Sequence, residues 1–478
     1  MANRTKKILL ITGVITIVAF AGILALRFSI NAFTPQIEAA LSTALGMDVR
    51  IKGKMDISLF PNFGFSLKDV SVRNNALDVA AIEKMKIALK LMALARFEIE
   101  IIQIGLYKPV ISIKRSAKEL LNLEQPVRAT LERLLAVKRI SVFQGNLVYA
   151  DDASGEKIEA GDIDLSIKFT MPGGTNSAEP FNMIKLTGDI KCKMLRINGV
   201  TLMNLVMRAS GEKGIFDINP FGMNIAGGTG SGSIHADVTG PLPQYRFICN
   251  LDEVRIENLL DLYGLNKIPR NTIEGSINFS ADLTAMGKSA DAVKRSLNGH
   301  LSLNGENLML YNMDIDAFIM KYEESQNFNL VDLAAFLLSG PIGPVLTKSY
   351  NFARLYEASQ GVNGVVRKLV SDWEVKNGIA EARDVALASK KQRIAMTGGL
   401  NFIHERFEDV TVAALDKRGC AVYSEKVHGP FREPQIEKES IFRSIAGSVM
   451  NPLKNGWNFL QGKECTVFYT GSVLQPQE

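Results

Sequence analysis

The chain has 478 residues, of which 46% are hydrophobic and 22% are charged, a composition typical of a folded protein rather than a disordered one. The formal charge of +5 includes Arg4, Lys6 and Lys7, so little surplus charge remains for the rest of the chain. This balance argues against a nucleic-acid-binding surface. Four cysteines are too few for a disulfide-stapled scaffold.

The N-terminus predicts a membrane anchor. Residues 1–7 form a basic tail, and 8–28 read as a transmembrane helix, with no charged residue from Ile8 to Leu26. At 1.5 Å per residue this run spans about 28 Å, close to the roughly 30 Å hydrocarbon core of a bilayer. The alternative is a cleaved signal peptide, since Ala19-Phe20-Ala21 has the small-x-small pattern of a cleavage site. The apolar run continues beyond that tripeptide and favours an uncleaved anchor, with the N-terminus cytoplasmic and the bulk of the chain across the membrane.

The region 29–175 predicts strands after one short helix at Thr34–Leu45. Clean period-two alternation places apolar side chains on one sheet face in two segments. Within 97–115 the alternation slips at Ile101-Ile102, which indicates a bulge or a tight turn. A second helix is predicted at Lys118–Leu135. The alternating apolar residues are Met85, Ile87, Leu89 and Leu91 in the first segment, and Ile163, Leu165, Ile167 and Phe169 in the second.

Three further regions follow. A central sheet region, 176–317, alternates at Ile277, Phe279 and Leu283. A helical segment is predicted at 318–372, interrupted by the prolines of SGPIGP at 339–344. The region 373–478 returns to strands, with a helix at Ile441–Leu460 and a final strand.

A pattern of apolar-x-Gly-x-apolar recurs along the chain, for example at Ile51–Met55, Ile273–Ile277 and Met396–Leu400. Glycine weakens a strand and is kept where a sheet bends or bulges. One interpretation is therefore a sheet that curls repeatedly about its apolar face. The other is chance, because the chain has 39 glycines.

The residue types of common catalytic sites are missing from their usual patterns. Four histidines are scattered without metal-ligand spacing. The glycine-rich stretch 227–233 lacks the Gly-Lys-Ser/Thr of a phosphate-binding loop, and no serine has the spacing of a nucleophile elbow. We therefore expect a non-enzymatic protein with no metal and no cofactor.

The cysteines divide into two kinds. Cys192 and Cys249 each alternate with apolar neighbours, so both are predicted to be buried free thiols. Cys420 follows a turn-like KRG, and Cys465 begins the last predicted strand. In an oxidising compartment these two are predicted to form a disulfide across the helix at Ile441–Leu460.

The order of these features is similar to that of a known family. The relevant segments are ALGMDVRIKGKMDISLFPNFGFSLKDVSVRN (44–74), IQIGLYKPVISIKR (102–115), ISVFQGNLVYADDASGEKIEAGDIDLSIK (140–168), GGTGSGSIHADV (227–238) and MTGGLNF (396–402). In these segments the chain resembles the AsmA family of Gram-negative envelope proteins. It departs at SAKELLNLEQ (116–125), where the family commonly has a glycine shortly before Asn-Leu.

The resemblance implies an inner-membrane protein whose bulk is periplasmic. Its fold would be mainly β, a long curled antiparallel sheet forming an apolar groove, with helical segments toward the C-terminus. Related TamB-like and bridge-like proteins imply that phospholipid binds or moves along the groove and that the protein contributes to outer-membrane lipid homeostasis. The partners would be membrane phospholipids and envelope proteins, and no catalytic residues are carried over. The candidate groove residues are the alternating apolar residues named above.

Two alternatives stay open. The groove could be filled by the protein's own side chains and helices, which would make the chain a structural or assembly factor that acts through protein partners at its strand edges. The chain could also be an envelope enzyme with an unrecognised site. The helical segments 329–358 and 441–460 distinguish the lipid groove from the filled one, because they either plug the groove or cap its end.

Overall fold

The computed structural model describes residues 34–45, 47–58, 63–74, 77–90, 101–115, 137–152, 154–170, 185–262, 273–312, 314–325, 362–431, 433–439 and 466–476. These residues contain 21 strands of a large open sheet and a few helices. The chain divides into two compact units. Unit 1 comprises Met1–Asn198 with Met203–Lys213, and unit 2 comprises Gly199–Leu202 with Gly214–Glu478. The boundary predicted from the sequence at 175/176 stays a prediction.

Of the first nine strands, all but the first two, which have four residues each, are long, and they carry the period-two pattern expected of a sheet with one apolar face. In chain order they are β1 (Asp48–Ile51), β2 (Met55–Ser58), β3 (Gly64–Asn74), β4 (Leu77–Leu89), β5 (Ile101–Arg115), β6 (Arg139–Asp151), β7 (Glu156–Thr170), β8 (Lys185–Ile197) and β9 (Val200–Glu212).

The remaining strands are β10 (Ile215–Ile225), β11 (Gly228–Asp237), β12 (Gln244–Arg255), β13 (Ile273–Glu274), β14 (Ser276–Met286), β15 (Asn298–Leu310), β16 (Gly364–Lys376), β17 (Ile379–Ala388), β18 (Arg393–Asn401), β19 (Arg406–Leu415), β20 (Ala421–Pro430) and β21 (Gln435–Glu439). The described helices are α1 (Thr34–Leu45), α2 (Ile256–Leu262), α3 (Ala290–Arg295) and α4 (Ile315–Ser325).

Strands pair mostly with their sequence neighbours. In unit 1, β1 and β2 pair with β3, and the ladder continues through β4, β5, β6, β7 and β8. In unit 2 it runs from β10 through β11, β12, β14 and β15 to β21. The short β13 pairs with β15.

The sheet is mixed, so the expectation of a purely antiparallel sheet is wrong at one pair. Strands β5 and β6 run parallel, with Leu106 beside Val142 and Ile111 beside Leu147. Parallel neighbours require a crossover connection of a dozen or more residues, and residues 116–136 between these strands are long enough to make one. The helix predicted at Lys118–Leu135 lies in that connection, outside the described residues.

Tight hairpins join several antiparallel neighbours. Ala226-Gly227 connects β10 to β11, and Asn377-Gly378 connects β16 to β17. All four residues have positive φ, between 48° and 84°. Two successive left-handed residues match the right-handed twist of the flanking strands, and Asn-Gly is the preferred dipeptide for this turn. These turns fix the strand register on both sides.

The predicted helix at Thr34–Leu45 is confirmed, with the same bounds. Strand β16 begins at Gly364, so residues 364–372, which the sequence assigned to a helical segment, are strand. The sequence analysis did not predict the short helices α2 and α3. No helix among the described residues is long and apolar enough to cross a membrane. The predicted anchor, with Ile8 and Leu26, and the helix at Ile441–Leu460 lie outside the described residues.

Candidate functional site: the apolar face of the sheet

Strand register brings the predicted apolar residues of β7 into line with those of β8. Leu165 lies opposite Ile190, and Phe169 lies opposite Leu186. Residues directly opposite in a ladder point to the same side of the sheet, so these side chains form adjacent rows on one face. We call this the apolar face of unit 1. The other two predicted residues of β7, Ile163 and Ile167, lie opposite Cys192 and Gly188 on the same face.

The rows continue across β6 and β5. Val142 lies between Leu106 on β5 and Leu165 on β7, and Ile140 occupies the same place one row along. Leu106 in turn lies opposite Met85 on β4, which lies opposite Leu67 on β3. One row of the ladder therefore carries apolar side chains on six consecutive strands, from β3 to β8.

The β1–β4 end of this face is closed by the protein itself. Met85, Ile87 and Leu89, predicted as groove residues, are buried with Leu67 in one hydrophobic cluster. Ile37 and Leu41 of α1 pack against that cluster. The helix is held in place because the Ser42 hydroxyl accepts a hydrogen bond from the backbone N–H of Val49 at 2.9 Å. The fourth predicted residue of β4, Leu91, lies outside the described residues.

The same face becomes more accessible from β5 to β8. Leu67 in the covered part is 0% exposed. Leu106, Val142, Leu165 and Ile190, which continue its row, are all only half-buried. The apolar face of unit 1 thus has a covered part on β1–β4 and a partly open part on β5–β8.

A line of bulges, which we call the crease, crosses the apolar face of unit 1. At this line the spacing between successive apolar residues in a strand changes from two residues to three. Asp69, Lys108, Gln144 and Asp162 have φ between 45° and 52° in the middle of β3, β5, β6 and β7. A left-handed residue in a strand makes a bulge that turns the following side chains to the opposite side and increases the local twist. The apolar pairs that flank the crease are Leu67/Val70, Ile82/Met85, Leu106/Pro109, Val142/Gly145 and Ala160/Ile163.

The crease keeps the hydrophobic side of each strand on one face. Val70 and Ile82 belong to the same buried cluster as Leu67 and Met85, although their spacing breaks the alternation. The predicted role of glycine in bending the sheet holds at Gly398, which has φ +108° within β18. It does not hold at Gly240, which lies between strands. In unit 1, aspartate, lysine and glutamine supply most of the bulges.

Unit 2 has an apolar face of the same kind. Phe279 on β14 lies between Leu251 on β12 and Leu303 on β15. Leu283 lies opposite Phe247, whose side chain is 38% exposed. Phe279 and Leu283 are half-buried, whereas Ile277 is buried. The structure therefore brings the three predicted residues of β14 onto one face, and two of them are partly accessible.

The chain matches a known family over most of these strands. The model of the AsmA family matches residues 2–188 and 177–342, which include the apolar rows of β5–β8 and those of β10–β15. The chain belongs to the AsmA family. No curated protein matches it.

The free thiols of this AsmA-family chain lie on the apolar faces. Cys192 is opposite Ile163 in unit 1, and Cys249 is opposite Ala281 in unit 2. Both are free and buried. Burial raises the pKa of each thiol, because the thiolate loses its hydration. Their position confirms the sequence-based expectation and provides one chemical probe on each face.

The opposite face of the sheet is polar, and opposite charges join neighbouring strands there. Arg208 Nε donates to Asp189 Oδ1 at 3.2 Å across β8 and β9. Arg246 donates to both carboxylate oxygens of Asp282, at 3.0 and 2.7 Å, across β12 and β14. The hydrogen bond from Arg246 lowers the pKa of Asp282. Among the residues that the structure describes, no three metal-ligating side chains converge on either face.

Part of each strand from β16 to β19 is buried on both faces of the sheet, at residues 369–371, 385–388, 393–396 and 412–415. A segment at 466–476 packs Tyr469 and Val473 against small side chains such as Ala386 and Ala413. Buried Arg393 donates to the carbonyl oxygen of Val473 at 3.1 Å and holds the segment in place. Leu387 and Ile394, whose side chains point to the other face of the sheet, are equally buried. This end of the AsmA-family sheet is a packed core and not an accessible groove.

Cys420 lies where this segment meets the sheet and is disulfide-bonded. It forms an antiparallel bridge with Val467, and the N–H groups of Phe468 and Tyr469 donate to the Gly419 carbonyl. The predicted partner, Cys465, lies just outside the described residues, so this pairing stays a prediction. The role of 466–476 as a cover was not predicted from the sequence, because the alanines that receive it look like ordinary strand residues.

Proposed function

We propose that this protein is anchored in the inner membrane and binds phospholipid acyl chains on its apolar sheet faces in the periplasm. The observation that carries the proposal is the row of half-buried side chains on β5–β8, in direct register across four strands. Large contiguous apolar surfaces on a protein usually mark a binding site. Membership of the AsmA family supports a general role in envelope lipid handling.

Acyl chains suit this surface physically. Burying one CH₂ group stabilises a complex by about 0.8 kcal/mol, so a few methylenes on each strand give appreciable affinity. Strands lie about 4.8 Å apart, and the row from Leu106 to Ile190 spans four strands, a length that a phospholipid tail covers. The face offers no polar partner in these rows, so the head group would stay in water. The function would be non-enzymatic and would contribute to lipid homeostasis of the outer membrane.

The alternative is an assembly factor whose apolar face is filled by its own side chains. The covered cluster on β1–β4 and the buried strands β16–β19 favour this interpretation for those parts of the sheet. It does not account for the half-exposed rows on β5–β8, where aliphatic side chains remain partly accessible. We therefore assign lipid to β5–β8 and to β12 and β14, and self-packing to the two covered parts.

Photo-crosslinking in cells that express the full chain tests the proposal. A photoreactive amino acid at Leu165 or Phe279 should crosslink phospholipid, which mass spectrometry of the purified adduct would identify. The matched controls are Ser166 and Ser280, the next residues on the same strands, which point to the polar face. Crosslinks at the serines and the apolar positions alike would indicate nonspecific capture. Absence of lipid at all four positions would refute lipid binding on these faces.

A further inference from the structure

The polar face of unit 1 carries two pairs of basic residues that lie directly opposite each other in the ladder. Lys68 on β3 lies directly opposite Lys84 on β4, and Arg139 on β6 lies directly opposite Lys168 on β7. Like charges directly opposite in a ladder destabilise the pair. Both basic pairs lie on the polar face within five strands, so positive charge is concentrated there.

Most of these cations lack an acidic partner. In the described part of unit 1, no carboxylate forms an ion pair with Lys84, Lys86, Arg139 or Lys168, whereas Lys68 has a distant one in Asp56 at 3.9 Å. Several lysines elsewhere on the sheet are paired, as in the 3.0 Å contact of Lys185 with Glu212. We call these five cations, Lys68, Lys84, Lys86, Arg139 and Lys168, the cationic surface.

Two aromatic rings lie within the cationic surface. Tyr107 is opposite Lys84, and Phe143 is opposite Tyr107 on the next strand. Their rings stack with centroids 4.8 Å apart, and the ring of Phe143 is 41% exposed. The ammonium groups of Lys84 and Lys86 lie 5.8 and 5.3 Å from the Tyr107 centroid. Exposed aromatic side chains next to basic ones are typical of surfaces that contact membrane head groups.

We propose that the cationic surface binds the phosphate head groups of an anionic bilayer. The inference rests on the proposed anchor but not on lipid in the apolar face. Only residues 29–33 separate the predicted anchor from α1, so α1 begins within about 20 Å of the bilayer. Since α1 packs on β1–β4, the cationic surface lies on strands held near that bilayer. Positive charge facing anionic lipid would then orient unit 1 at the membrane.

The test compares the full-length protein in phosphatidylcholine nanodiscs with and without phosphatidylglycerol. Both discs hold the anchor, so they differ only in surface charge. Mass spectrometry follows acetylation of each lysine by a water-soluble reagent. We expect Lys84, Lys86 and Lys168 to react about fivefold more slowly in anionic discs, and the difference to vanish in about 0.5 M NaCl. Lys157, Lys185 and Lys193, which are ion-paired, are internal controls.

Two double variants distinguish orientation of unit 1 by the cationic surface from a general effect of the protein's positive charge. In the double variant Lys84→Gln, Lys86→Gln, the protection of Lys168 should fall. In the control double variant Lys185→Gln, Lys193→Gln, which removes the same charge, it should persist. Equal acetylation rates in both kinds of disc would overturn the proposal. So would equal protection by inorganic phosphate in phosphatidylcholine discs, which would identify a site for soluble phosphate. Neither result would affect lipid crosslinking at Leu165.

Discussion

Two leucines in one row of the sheet should differ in what they contribute to stability. Leu67 and Leu165 are linked through Met85, Leu106 and Val142, each opposite the next. Leu67 is fully buried in the cluster under α1, whereas Leu165 is half-buried. The same substitution at the two positions therefore measures whether the apolar face is closed or open, with residue type and face held constant.

The expected magnitudes follow from burial. Leu67→Ala removes a fully buried side chain and leaves a cavity, which costs about 2–5 kcal/mol in the free energy of unfolding. Leu165→Ala loses only about half of the transfer free energy and leaves no enclosed cavity, so it should cost about 1 kcal/mol.

Hydrogen exchange of the backbone amides of β3–β7 in lipid-depleted protein is the suitable assay. It reports the opening of unit 1 separately from unit 2, which a single unfolding transition would not do. Comparable losses of protection in the two variants would refute the distinction between the covered and the open parts of the face. Adding phospholipid should increase protection in wild type and less so in the Leu165→Ala variant.

Three further predictions concern other parts of the sheet. Gly398→Ala should destabilise β18, because φ is +108° and an added Cβ would lie 2.4 Å from a backbone carbonyl oxygen. Gly161→Ala is the control, because an added Cβ there would lie 3.5 Å from its nearest neighbouring atom. This variant should leave the midpoint of chemical denaturation unchanged, whereas Gly398→Ala should lower it. Arg393→Ala should free the segment 466–476, and faster proteolysis within that segment would show it; an unchanged cleavage rate would contradict the role assigned to the arginine. Arg246→Gln should raise the pH of acid unfolding of β12–β14, measured by hydrogen exchange. The pKa of Asp282 is lowered in the folded protein, so its contribution is present above the unfolded pKa and is lost as pH falls through the folded one. An unchanged acid midpoint would contradict this linkage.

Period-two alternation was sufficient to find β4, β7 and β14, and Thr34–Leu45 was predicted to the residue. The rows that make up the candidate site could not be predicted from the sequence, because register between strands depends on long-range pairing that no local pattern encodes. The parallel pair of β5 and β6 was missed for the same reason.

The error at 364–372 has a physical origin. Val366 and Leu369 are spaced by three residues, as they would be on one side of a helix. In the structure both are buried residues of β16. A spacing of three in a strand arises where its alternation changes phase, so a short apolar run of this kind is ambiguous until the neighbouring strands are known.

The crease in unit 1 shifts the alternation of side chains along each strand by one residue. This shift occurs in each strand from β3 to β7 at the same position across the sheet. The side chains beyond it stay aligned with those of the neighbouring strands only because all these strands shift together. If Asp69 alone took the regular extended conformation, Val70 and Val72 would move to the polar face while Ile82 stays on the apolar one. A sheet of this kind tolerates new hairpins at its edges more readily than a one-residue change within a strand, so it can lengthen by whole strands while the height of the crease stays fixed.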